Sequence, residues 1–69
     1  MKVIDIYDCK QRLVCRGDPS TGFVETKYQK QITKTILPLK MYLIIERDRV
    51  WTKITRVNNV DFHVESKLI

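Results

Sequence analysis

Alanine is absent from this 69-residue chain, while Val, Ile and Thr together fill 21 positions. The missing residue is the strongest helix former, and the abundant ones are stiff at χ1 and suit a pleated strand. Helix is therefore excluded as the main building material. Glycine occurs only twice, which leaves no phosphate-cradling glycine loop. Two cysteines, Cys9 and Cys15, and a single histidine, His63, fall short of the four ligands that a structural zinc site takes. No apolar run approaches the ~20 residues of a transmembrane helix. The opening Met1-Lys2-Val3-Ile4-Asp5 reaches an acid too early for a signal peptide. These absences lead us to expect a cytoplasmic, non-membrane protein without cofactor, its two thiols reduced.

What is present is a short, basic chain with net charge +5, long enough for one domain over 1–69 and one modest core. Turn formers cut it into alternating runs. Asn58-Asn59 predicts a hairpin of 50–57 with 60–66, with Val57 opposite Val60, Thr55 opposite Phe62, Lys53 opposite Val64, Trp51 opposite Ser66, and Arg56 ion-paired with Asp61. A three-residue turn, Arg47-Asp48-Arg49, then sets Ile45 across from Trp51, so that Met41, Leu43 and Ile45 share its apolar face. That register leaves Tyr42, Ile44, Val50 and Ile54 together on the other side.

Upstream, Val3–Tyr7 and Arg12–Arg16 pair through a loop at Asp8–Gln11, aligning Ile4, Ile6, Leu13 and Cys15. Gly17-Asp18-Pro19-Ser20-Thr21-Gly22 is a turn segment that also spells Arg16-Gly17-Asp18 by chance. Residues 23–28 and 32–37, joined through Gln29-Lys30-Gln31, bring Val24, Tyr28, Ile32 and Ile36 to one face, and Pro38 turns a corner. The expected fold is all-β, a small meander of six to seven short antiparallel strands rolled into a barrel-like or two-layer sheet.

Chemistry is sparse. His63 has Asp61 and Glu65 two residues away on its own face, which alternation produces on any polar strand, and no nucleophile falls beside it. We therefore expect a non-enzymatic binding or assembly module acting through the apolar face of Tyr42, Ile44, Val50 and Ile54 on a protein partner or a second copy. The alternative is a small nucleic-acid-binding β-barrel, with Lys27, Lys30, Lys34, Arg47 and Arg49 neutralising phosphates.

Overall fold

A computed structural model describes residues 3–69; Met1-Lys2, part of the stretch read against a signal peptide, lies outside them. Seven strands follow in chain order: β1 (Ile4–Tyr7), β2 (Leu13–Asp18), β3 (Phe23–Tyr28), β4 (Gln31–Ile36), β5 (Tyr42–Arg47), β6 (Val50–Arg56) and β7 (Phe62–Leu68). They pair antiparallel with their sequence neighbours in two sheets, β1-β2-β3-β4 and β5-β6-β7. Of the two expected arrangements it is the pair of sheets that forms, with no closed barrel among the described residues.

Registers differ from expectation by one residue in three hairpins, each time because the turn takes a different length. Arg47 pairs with Val50, so Asp48 and Arg49 alone make the β5–β6 turn. Both carry positive φ, 53° and 65°, the pair of left-handed residues that gives a two-residue turn the twist of its strands. The slip carries Val50 and Ile54 inward, 1% and 0% exposed, and turns Trp51 outward. Leu43 and Ile45 keep their inward place, whereas Met41 is exposed.

In the β3–β4 hairpin Tyr28 pairs with Gln31 around Gln29-Lys30, with Gln29 at φ 56°. Val24 and Tyr28 consequently face away from Ile32 and Ile36, and only Val24 is buried. Between β6 and β7 the loop grows to five residues, since Arg56 pairs with Phe62. Asn58 explains it: its side-chain oxygen accepts the N–H groups of both Val60 and Asp61 at 2.8 Å, an Asx turn in place of the tight hairpin turn. In the first hairpin Ile6 meets Cys15 but Tyr7 meets Leu13. The bulge at Val14 buries two successive residues, Val14 and Cys15, and turns Leu13 out to solvent.

The core lies between the sheets. Ile6, Cys15, Val24 and Leu37 come from the first sheet and its exit, Ile54 from the second, with Leu43, Ile45 and Phe62 packed around them. Both glycines serve this junction. A Cβ on Gly17 would stand 2.8 Å from the Phe62 ring, and one on Gly22, at φ +84°, would lie 2.1 Å from the Leu37 carbonyl oxygen. Gly17 and Asp18 thus end β2 as buried residues, not as an exposed turn tripeptide.

Arg56 is the join. Expected opposite Asp61, it is instead buried, 8% exposed. Its guanidinium donates to the carbonyls of Pro19 (2.9 Å), Leu37 (3.0 Å) and Ser20 (3.2 Å) and to the Asn59 side chain (3.3 Å). Arg56→Ala should cost roughly 2–5 kcal/mol, because it strands the Pro19 and Leu37 carbonyls. Arg56→Lys should recover little of that, since an ammonium lacks the planar fork. Urea denaturation followed by circular dichroism measures both.

Candidate functional site

The expected apolar surface is divided by the β5–β6 register. Val50 and Ile54 belong to the core, while Tyr42 and Ile44 stand 51% and 45% exposed on the outer face of the second sheet. Pairing of Tyr42 with Thr55, Ile44 with Lys53 and Glu46 with Trp51 gives that face its composition. β7 continues the rows with His63, Glu65 and Lys67. Trp51, expected inward, is half-buried on this outer face, and the ammonium of Lys67 sits 5.0 Å from its ring centroid. Lys53 lies 4.4 Å over Tyr42 in the same way. The surface is therefore an apolar patch of Tyr42, Ile44 and Trp51 crossed by two lysine stems. His63 is exposed, its Nε2 3.6 Å from a Glu65 carboxylate oxygen. Among the described residues no three His, Cys, Asp or Glu side chains gather into a metal-binding group, and no helix is long and apolar enough to cross a membrane.

The basic residues fare differently. Three hairpin tips, at 8–12, 28–31 and 47–50, meet at one end of the molecule. Arg12 donates to Asp8 at 3.0 Å and to Asp48 at 3.1 Å, linking the first tip to the third. Arg47 stacks 4.4 Å from the Tyr28 ring centroid and donates to the Lys27 carbonyl at 3.4 Å, linking the third to the second. Lys27, Lys30, Arg47 and Arg49 are thereby gathered, joined by Lys10 and Arg12, which sequence reasoning missed because nothing in their spacing signals a partner at Asp48. Lys34 sits farther along β4, opposite Glu25. A cleft of about 210 Å³ opens between the tips, bordered by Arg12, Tyr28, Arg47 and Asp48. One Arg12 nitrogen there, Nη2, is buried without a partner. The two aspartates of this end are both engaged by Arg12, so the remaining cations give it a net positive field.

Titration behaviour follows from the surroundings. Burial pushes the Asp8 carboxyl up, but the N–H groups of Arg12 and Lys10 together with the Arg12 guanidinium outweigh it and hold its pKa below the ordinary value. The Ser20 hydroxyl and N–H do the same for Asp18 against its burial. Burial drives the Cys15 thiol up to about 12, the charge of Arg47 offsetting only part. Comparison of the chain with family models, with curated proteins and with solved structures gave no match.

Two measurements check these assignments. Both thiols are free, Cys9 exposed and Cys15 buried, so a thiol-reactive chromophore should label Cys9 promptly and Cys15 only on unfolding. Depressed carboxyl pKa values mean that the native state binds fewer protons than the unfolded one. Their stabilisation is present above the unfolded pKa, about 4, and is lost as pH falls through the lower folded values. The thermal midpoint should hold level to about pH 5 and fall below pH 4. Asp8→Asn should lower it at pH 7 and flatten the acid limb.

Proposed function

We propose that this chain is a non-catalytic binding module that assembles through the outer face of its second sheet, with a second copy of itself or another protein as partner. The observation that carries the reading is the exposure of Tyr42 and Ile44 beside Trp51 on one continuous strand surface. Two aromatics and an isoleucine on the outer face of β5 and β6, crossed by Lys53 and Lys67 and flanked by Glu46 and Glu65, have the mixed apolar and polar composition of an interface. Size supports it as well. A core of this extent yields few kcal/mol of net stability, and at ~25 cal/mol per Å2 a few hundred Å2 of further apolar burial is a comparable quantity. The pair of free thiols suits a reducing, cytoplasmic setting.

Light scattering at ~0.1 M and ~1 M salt tests it, since the two conditions differ strongly in electrostatic screening. A dimer or larger species that persists in both and becomes monomeric on Ile44→Asp, with the circular dichroism spectrum unchanged, is the expected result. A monomer at both salts overturns self-assembly.

The meeting of three basic hairpin tips around the Arg12–Arg47 cleft supports a second reading, binding of single-stranded nucleic acid at that end. Under it, Lys30→Glu and Arg49→Glu weaken binding of an oligonucleotide and flatten its salt dependence, whereas Ile44→Asp has no effect.

A further inference from the structure

β4 differs from the other edge strands in being exposed at every one of its positions, Gln31–Ile36. β1 buries Ile6, β5 half-buries alternate residues, and β7 half-buries Phe62 and Ser66. The direction of its free backbone groups follows from the turn. Tyr28 and Gln31 close a two-residue hairpin and so form a hydrogen-bonded pair, after which bonded and non-bonded pairs alternate. Leu37 confirms the phase, its N–H donating to the Gly22 carbonyl at 2.7 Å. Residues 31, 33 and 35 therefore bond to β3, and Ile32, Lys34 and Ile36 point their N–H and C=O groups away from the sheet.

We propose that this edge is a strand-addition site for an extended polypeptide segment in which apolar and acidic residues alternate along one face, that is at every second position. The side chains decide the chemistry of the occupant. On the outer face, Ile32 and Ile36, 55% and 63% exposed, flank Lys34, with Lys27 and Glu25 behind them on β3. Among the described residues none of Lys27, Lys30 and Lys34 is ion-paired. A second copy of β4 laid antiparallel brings Lys34 directly opposite or diagonal to Lys34 of the other chain, and like charges across a seam oppose pairing. A segment carrying carboxylates reverses that sign, while its apolar residues cover Ile32 and Ile36 and its backbone completes the ladder. This surface is separate from Tyr42 and Ile44 on the second sheet, so it stands whether or not the chain assembles there.

The test is an amide-resolved NMR titration with a capped peptide about eight residues long, enough to span the strand, in which valine and glutamate take turns at every second position and threonine fills the positions between them. A valine–lysine peptide and a thymidine oligonucleotide serve as comparisons. The valine–glutamate peptide should bind, shifting and protecting the amides of Ile32, Lys34 and Ile36. Lys34→Glu should weaken it roughly fivefold or more and admit the valine–lysine peptide instead. Ile32→Pro, which removes a donor that β3 does not use, should abolish protection while the thermal transition persists. Equal binding of both peptides, or shifts confined to other strands, overturns the proposal. So does loss of oligonucleotide but not peptide binding on Lys34→Glu. None of these outcomes depends on the Ile44→Asp result.

Discussion

A single guanidinium holds the two sheets in register. Arg56 lies in the last position of β6, its own N–H donating to the Met41 carbonyl at 3.0 Å and its carbonyl accepting from Lys40 at 2.8 Å. The corner after Pro38 is thus tied to the second sheet by the main chain of the residue whose side chain reaches the first. Burying a cation is costly unless its donors are satisfied, and here no carboxylate does it. Three backbone carbonyls and one amide oxygen surround the group, and backbone carbonyls cannot rotate away as a carboxylate side chain can. The 18–22 turn, held locally by the Asp18 side chain and carbonyl, presents the Pro19 and Ser20 oxygens to one fork.

The scarcity of glycine acquires meaning beside that join. Two positions in the chain permit contacts that a Cβ forbids, Gly22 next to Leu37 and Arg56 and Gly17 beneath Phe62, and both lie where the sheets meet. Elsewhere positive φ is carried by residues with side chains, at Gln11, Gln29, Lys40, Asp48 and Arg49, each at a turn or corner on the surface. Backbone strain is tolerated where solvent leaves room and is avoided where packing leaves none.

Strand content, the corner at Pro38 and the inward place of Ile6, Cys15, Leu43 and Ile45 were legible in the alternation of residues, because a sheet with one buried face enforces period two. Turn length was not, nor was the bulge that turns Leu13 outward, and the misplaced side chains of the other three hairpins trace to turn length. Asp48-Arg49 has no glycine or asparagine to announce a two-residue turn, so alternation alone favours Trp51 as the inward residue. The core at that level is in fact filled by Thr52, 1% exposed, whose hydroxyl lies 3.1 Å from that of Ser66. Asn58-Asn59 resembles a tight turn, but its first side chain spends its oxygen on two amides and lengthens the loop. The candidate surface inherited these shifts: Tyr42 and Ile44 stayed outside while Val50 and Ile54 went in. The convergence of the basic tips was invisible, since it depends on how the sheets dock and not on any local pattern.

The strand order has a consequence for the history of the chain as well as its shape. Each strand pairs only with its neighbour in sequence, so both sheets are assembled from short loop closures, and the long-range contacts come only when they dock. Residues up to Leu37 make one layer and those after Pro38 the other. The corner between them is a natural seam, and a polypeptide severed there still carries every strand pairing within one fragment or the other. What it loses is the tether, leaving Arg56 and the Phe62 ring to find Pro19 and Gly17 by collision.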